Sequence, residues 1–414
     1  MRADDGQCVS IGSEPHYEEY SMQQNANDNA TAPLGLTESQ WEAICALRPA
    51  DEAISPTAEG QRPASIYFSE ERYQAEIEQL FKKVPLVAAP SCYLKPGESL
   101  AQDGYGIPML LTRDKNGVVR AFVNACRHRG SKIVEGNEPV ASARLSCPYH
   151  AWTYATDGRL IGIPRPETFP SAKKCELGLV TLECYEAGGM IWVGMDPKEK
   201  PGLLEGSDQL HADLEAFGLH TMHMYGRRTY DLKANWKFVM EPFLEAYHIQ
   251  RLHADSIADM FLDVPSVYGF LGHHQRQTSG KANFSPDLLK GNIDNLHKYI
   301  THAYLCFPNT VVITSPYYMS IMILMPRGAN RTVVDYFMLT KSEPDSDKAK
   351  ELFARSFELI HEVFGGEDFR AAELQTAALG NGNSGVETLY FGGLEEMITP
   401  FHESIESFLD KPES

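Results

Sequence analysis

Cys126-Arg127-His128-Arg129-Gly130 and Cys147-Pro148-Tyr149-His150-Ala151-Trp152 are the two stretches on which the reading of this chain turns. In pattern form they are C-x-H, eighteen residues, then C-x-x-H. Each half sets one thiolate and one imidazole on a short loop, so together the loops offer two sulfur and two nitrogen ligands. That set suits zinc, or a [2Fe–2S] centre in which two histidines replace two cysteines on one iron. Common zinc fingers instead pair cysteine with cysteine and histidine with histidine. Here each loop is mixed, cysteine first, which lets both sulfurs reach one iron and both imidazoles the other. Neutral imidazoles in place of charged thiolates raise the reduction potential and make a one-electron carrier. The neighbours fit: Gly130 permits a backbone conformation that a side chain resists, Pro148 stiffens the second loop, and Trp152 can shield one side from water.

Downstream, Asn235-Trp236-Lys237 opens a segment that runs through Glu245 and His248 to His253. At about 100° per residue, Glu245 and His248 lie about 60° apart and share a helix face. His248 and His253 lie about 140° apart, so both can bind one metal only if the helix ends or bulges between them. The H-x-x-x-H spacing of zincins needs no such distortion and does not occur here. The pair lacks a carboxylate to complete a two-His, one-carboxylate triad, the set that leaves open positions and suits Fe(II). Taken alone, the segment reads as ordinary core or surface histidines; the first constellation shifts that balance toward metal.

On these words the chain resembles the α (terminal oxygenase) subunit of the Rieske non-haem iron oxygenases. CRHRG and CPYHAW are close to the family's own, as is N-W-K followed by an acid, two residues, His, four residues and His. The resemblance runs from roughly residue 60 to residue 410. It implies that Cys126, His128, Cys147 and His150 hold a Rieske [2Fe–2S] cluster, and that His248 and His253 hold mononuclear Fe(II). The family's third iron ligand falls in the stretch GGEDFRAAELQ, with Asp368 in place and Glu367 or Glu373 as alternatives; Gln375 comes one position early relative to many members. At position 245 the family more often has Asp, and a subset including quaternary-amine monooxygenases carries Glu. By resemblance, Glu245 bridges His150 of one subunit and His248 of its neighbour.

The resemblance also implies an α+β architecture. A β-rich Rieske domain at 85–196 is set into a helix-grip (START-like) catalytic domain, 59–84 and 197–414, built on a curved antiparallel sheet. An N-terminal arm and helical extension at 1–58 precedes both. The implied activity is that of the terminal oxygenase component of a multicomponent system. It uses O2 and electrons from NAD(P)H, delivered by a separate reductase and/or ferredoxin, to hydroxylate or oxidatively demethylate an organic substrate. An aromatic substrate, as in aromatic hydrocarbon catabolism, is the first expectation, and quaternary-amine monooxygenation is the alternative. A Rieske electron-transfer protein with a degenerate catalytic domain and a zinc-dependent hydrolase are rivals of other classes. The implied assembly is a ring, usually a homotrimer.

The rest of the chain agrees with this class. With 414 residues and a net charge of −19, it has no basic footprint for nucleic acid or anionic lipid. No apolar run reaches the ~18 residues of a membrane span and no secretory signal is evident, so the expected compartment is the cytoplasm. Eight cysteines in such a length do not suggest a disulfide scaffold. No G-x-G-x-x-G unit follows a strand, so a fused reductase is not expected. Residues 1 to about 35 read as a mobile arm, and Thr37-x-x-Gln40 as a capping box. A helix is expected over Tyr67–Phe81, starting at Ser69, and Asn116-Gly117 signals a hairpin. Strands are expected at Tyr225–Leu232, Met319–Met325 and Val333–Thr340. Helices are expected at Asn235–His253, at Asp345–Phe364, and at Glu395–Leu409 with Pro400 as a kink or break. His273, His274 and the pair Arg227-Arg228 read as solvated surface groups.

Overall fold

The computed structural model describes residues 35–49, 59–291 and 293–409. The expected N-terminal arm, up to Leu34, lies outside them. The largest sheet has seven antiparallel strands. Six follow one another as a meander, Val267–Leu271, His274–Gly280, Ile300–Cys306, Thr310–Thr314, Tyr318–Gly328 and Arg331–Thr340, and His223–Leu232 pairs with the last. The three expected strands lie within this sheet.

Both faces of the sheet are covered, which is why Tyr318–Gly328 and Arg331–Thr340 are buried along most of their length. Successive strand residues point to opposite faces. Tyr336 packs on Phe357 and Phe364 of a long helical run, while Phe337 meets Tyr93 on the other face. Arg227 joins that second face. It was expected on a solvated surface, yet it is buried against Asp335 at 2.7 Å and lies over the rings of Tyr93 and Phe337. A charge on this covered strand stays inside because its counter-ion is there too. Arg228, its neighbour, faces outward to Glu358.

The helical run that covers the first face is longer than expected. Ser346 caps Asp347–Ile360, the turns widen to i→i+5 bonding over His361–Asp368, and Phe369–Leu379 continues it. Widened turns of this kind cluster at functional sites, and this one ends on Asp368.

The segment after Asn235 is not one helix. Asn235 caps the helix Trp236–Met240, a tight turn covers Glu241–Leu244, Glu245 is extended, and a second short helix covers Ile249–Leu252. Pro242 is the physical cause, since it has no N–H to continue the ladder and its ring crowds the preceding turn. Lys237 is fully buried and paired with Glu76 at 2.7 Å, and Trp236 Nε1 donates to the same carboxylate at 2.8 Å. Glu76 lies in the helical segment Glu70–Phe81, begun by Ser69 as expected. The Asn-Trp-Lys word therefore bolts that earlier segment to the strand-and-helix frame. A strand pair, Gly60–Pro63 with Thr388–Phe391, adds a second tie.

Between these ties lie three small sheets. Their strands run 181–182, 119–123, 109–113, 98–102 and 140–141 in one, 184–187, 190–193 and 86–90 in another, and 145–146, 153–154 and 160–162 in the third. Asn116-Gly117 turns the chain between Met109–Arg113 and Val119–Val123, as its sequence signals. The Thr37–Gln40 capping box is also formed.

Two other expectations fail. Pro400 falls in the first turn of the helix Ile398–Leu409, where a missing N–H is tolerated, so it neither kinks nor breaks it. His274 is buried rather than solvated: Nδ1 accepts the Phe307 N–H at 3.0 Å, Nε2 lies 3.1 Å from Ser207 Oγ, and burial pushes its pKa down to about 3. Its neighbour His273 is partly covered by the rings of Phe307 and Phe408. Among the described residues, no helix is long and apolar enough to cross a membrane.

Candidate metal centres

The two Cys/His loops have the same backbone construction. In the first, Cys126 N–H donates to Ser131 O and Gly130 N–H to Cys126 O, both at 2.8 Å. In the second, Cys147 N–H donates to Trp152 O at 2.9 Å and Ala151 N–H to Cys147 O at 3.0 Å. Each loop closes on a left-handed residue, Gly130 at φ 74° and Ala151 at φ 56°. The glycine is at ease there; the alanine carries strain. Tyr154 ties the loops, its hydroxyl accepting the Arg127 N–H at 2.9 Å and lying 3.3 Å from Cys126 Sγ.

The cysteines are buried and the histidines stand toward the rim, His150 exposed. The His128 and His150 rings are 4.7 Å apart, and Trp152 stacks on His128 at 5.0 Å with Phe169 at the edge. Trp152 thus covers one side of the loop pair, as its position suggests. Burial pushes both thiols up. For Cys126 that effect prevails, whereas at Cys147 the N–H groups of Tyr149 and His150 outweigh it and bring the thiol below its usual range. The thiols are near enough to perturb each other, with backbone N–H groups aimed at sulfur. A buried thiolate pair facing two imidazoles fits a cluster with mixed ligands.

The second constellation forms around the break at Pro242. His248 and His253 flank the short helix Ile249–Leu252, so the chain turns where the residue spacing requires it. Both rings point one nitrogen inward. His248 Nε2 lies 3.5 Å and His253 Nε2 3.2 Å from Asp368 Oδ1, and the three ligand atoms lie within 4.8 Å of one another. The outer nitrogens are held by carboxylates. His248 Nδ1 donates to Glu245 Oε1 at 2.6 Å, and His253 Nδ1 donates to Glu367. Glu245 Oε2 also accepts the His248 backbone N–H at 3.1 Å, so it orients residue and ring together.

Asp368 is 1% exposed, and neither of its carboxylate oxygens has a hydrogen-bond partner. A buried carboxylate without donors is costly unless a cation completes it. Burial alone would push His253 down, but the Asp368 and Glu367 carboxylates raise it. Two fixed imidazoles and an unsatisfied carboxylate fit the facial set of a mononuclear iron. The alternatives for the third position lie elsewhere: Glu367 holds the outer side of His253, and Glu373 accepts the Lys233 N–H at 2.8 Å.

A cavity of about 240 Å³ opens beside His248, His253 and Asp368, with Phe243, Phe261, Phe364 and Tyr318 in its walls. Sequence reasoning did not single out Glu367 as an orienting group, Tyr154 as the tie, or Lys281 in the cavity wall. Adjacency to Asp368 was the one available sign for Glu367. Tyr154 and Lys281 carry no local signal.

Loops of this design in one chain with a His/His/Asp cluster fit a two-centre iron oxidoreductase. The family description "Rieske [2Fe-2S] domain" matches residues 84–185, and "Ring hydroxylating alpha subunit (catalytic domain)" matches residues 219–411. The chain is 27% identical over 323 residues to the carnitine monooxygenase oxygenase subunit of Escherichia coli K12, covering 75% of this chain and 82% of the relative. The fold superposes on a quaternary ammonium Rieske monooxygenase with a TM-score of 0.72 at 23% identity, covering 89% of this chain and 98% of the other. It also superposes on naphthalene 1,2-dioxygenase from Rhodococcus sp. with a TM-score of 0.68 at 18% identity, covering 85% and 95%. The chain belongs to the Rieske non-haem iron oxygenases. Within them it is a terminal oxygenase, with a [2Fe–2S] cluster and a mononuclear iron as cofactors and a separate reductase as electron source.

Proposed function

We propose that Cys126, His128, Cys147 and His150 are the cluster ligands, that His248, His253 and Asp368 are the iron ligands, and that the enzyme monooxygenates a small quaternary amine. The ligand assignment is carried by one observation: the buried Asp368 carboxylate, neither oxygen of which accepts a hydrogen bond, sets Oδ1 against the inward nitrogens of two oriented histidines. A cluster held by Cys126, His128, Cys147 and His150 would supply one-electron transfer, and an iron held by His248, His253 and Asp368 would supply dioxygen activation. Glu245 and Glu367 fix the tautomers of the two histidines by accepting hydrogen bonds from their Nδ1–H groups. Phe243, Phe261 and Phe364 give the cavity an apolar, aromatic lining, and aromatic rings attract methylated ammonium groups. The carnitine monooxygenase relative supports the amine reading. The likeness to naphthalene 1,2-dioxygenase and the same aromatic walls support a second one, hydroxylation or demethylation of an aromatic substrate.

The two centres are not joined within one chain by any hydrogen bond, ion pair or ring contact among the described residues, and His150 with Tyr149 is exposed. We propose, as the family resemblance implies, a ring-shaped homo-oligomer, a trimer, in which Glu245 bridges His248 and His150 of a neighbouring subunit. We read the cluster domain as 85–196 and the catalytic domain as 59–84 with 197–414. A cytoplasmic location accords with the free thiols of all seven described cysteines. The test is turnover under 18O2 with a reductase, screening quaternary amines, aromatic acids and methyl ethers by product mass. Reductase-driven conversion of a quaternary amine, either to a product one oxygen heavier or to a tertiary amine plus a carbonyl compound, supports the first reading; turnover of the aromatic compounds alone, with no amine consumed, refutes it.

A further inference from the structure

We infer that Lys281 is a carboxylate-binding residue of the cavity, and that the substrate therefore carries a carboxylate in addition to the group that is oxidised. The inference rests on the reading of this cavity as the oxygenase's substrate site and deepens it. Lys281 follows the strand His274–Gly280. Its N–H donates to Tyr299 O at 2.8 Å, and its backbone bridges to Phe261, so the start of its side chain is held by the sheet. Lys281 is one of the residues that line the cavity, together with His248, His253 and Asp368. Nζ donates to His297 O at 2.7 Å. An ammonium has three donors, so this bond leaves two.

No carboxylate pairs with Lys281 among the described residues. The contrast with the fully buried Lys237 is direct, because Lys237 sits on Glu76. The acids that line the cavity, Glu245 and Asp368, face His248 and His253. His297 and His302, the imidazoles nearby, are held neutral by burial and supply no negative charge. Burial without a counter-ion pushes Lys281 down to about 8. A half-buried cation with free donors and no anion is costly, and a ligand carboxylate supplies both the missing charge and the missing acceptors. A purely cationic amine such as choline would instead bring like charge against Lys281. A betaine, with a carboxylate at one end and a methylated nitrogen at the other, satisfies Lys281 and the aromatic walls at once; an aromatic carboxylate does so equally.

The test uses the iron-loaded holoenzyme and reads binding by calorimetry without turnover. Probes come in pairs: γ-butyrobetaine with choline, benzoate with benzamide, and phenylacetate with phenylacetamide. The parent should bind the carboxylate of at least one pair about 10-fold or more above its counterpart, as expected for a hydrogen bond to a charged group. Lys281→Met should abolish that preference, and Lys281→Arg should keep most of it. Retention of the cluster's visible spectrum checks that the variants fold, and Lys281→Gln replaces Lys281→Met if it does not. A parent with no carboxylate preference in any pair, or a neutral variant that keeps it, overturns the inference. Failure of the oxygenase reading itself would show separately, as missing mononuclear iron and no reductase-driven oxygen consumption in the parent.

Discussion

Asp368→Ala should change stability in opposite directions with and without iron. In the iron-free protein the Asp368 carboxylate is buried, and neither oxygen accepts a hydrogen bond. An unsatisfied buried polar group costs about 1–3 kcal/mol, more when charged. His253, 3.2 Å away and with a raised pKa, offsets part of this. Truncation leaves a small void, which takes back about 1 kcal/mol. The iron-free variant should therefore gain about 1 kcal/mol, seen as a rise of roughly 2–4 °C in the melting of a domain of this size. With Fe(II) in thousandfold excess over its dissociation constant, the parent gains about 4 kcal/mol from binding and the variant nothing. The order of the two melting temperatures then inverts. The assay is calorimetry on chelated and anaerobically reloaded protein, with iron counted by atomic emission and the cluster followed by absorbance. A variant that keeps the mononuclear iron, or one that melts well below the parent when iron-free, refutes the ligand assignment.

Three further outcomes are expected. Glu245→Gln should keep the iron content and the reduced-cluster spectrum yet lose about 10–100-fold in single-turnover rate, because it removes the charge that orients His248 and would couple it to the neighbouring subunit; a parental rate would show that no bridge exists. Ala151→Gly should stabilise the cluster region by about 1 kcal/mol and Gly130→Ala should destabilise it by a similar amount, since both positions have φ above zero; urea melts that show the opposite order contradict this. Acid should unfold the protein steeply, because burial holds His274 and His402 down at about 3, His297 at about 4, and His302 well below its usual value. The folded state then binds fewer protons than the unfolded one as pH falls below about 6.5, so stability rises with pH across that window. Each histidine contributes a slope of up to about 1.4 kcal/mol per pH unit, and denaturant titrations between pH 7 and pH 4.5 that give a flat line would exclude it.

The cluster loops were legible because everything they need is local. Both proposed ligands of each loop, the left-handed closing residue and Trp152 fall within a few residues of one another. The hairpin at Asn116-Gly117 and the cap at Thr37 belong to the same kind of short-range signal. The iron site was legible in composition but not in shape. Helical periodicity suggested a continuous helix through His253, and the single missing N–H of Pro242 overrode it. Glu367 and Asp368 are neighbours of the same chemistry; only the packing of the widened helical turns against His248 and His253 separates their tasks. Arg227, His274 and Lys281 could not be read, because each depends on a group distant in sequence: Asp335, Phe307 and the shared cavity wall. A charged residue looks solvated until its partner is known.

The pairing of Gly60–Pro63 with Thr388–Phe391, and of Glu76 with Lys237, has a consequence for how the molecule is made. On the ribosome, the segment that precedes the cluster loops emerges about 325 residues before its strand partner. At roughly 10 residues per second that wait is about half a minute. The cluster loops and their small sheets, drawn from one unbroken stretch, can close during this interval, since short loop closures are fast compared with synthesis. Asp368 is translated well over a hundred residues after His248 and His253. The order of synthesis thus makes all four Cys and His side chains of the loops available before Asp368, the proposed last iron ligand, exists.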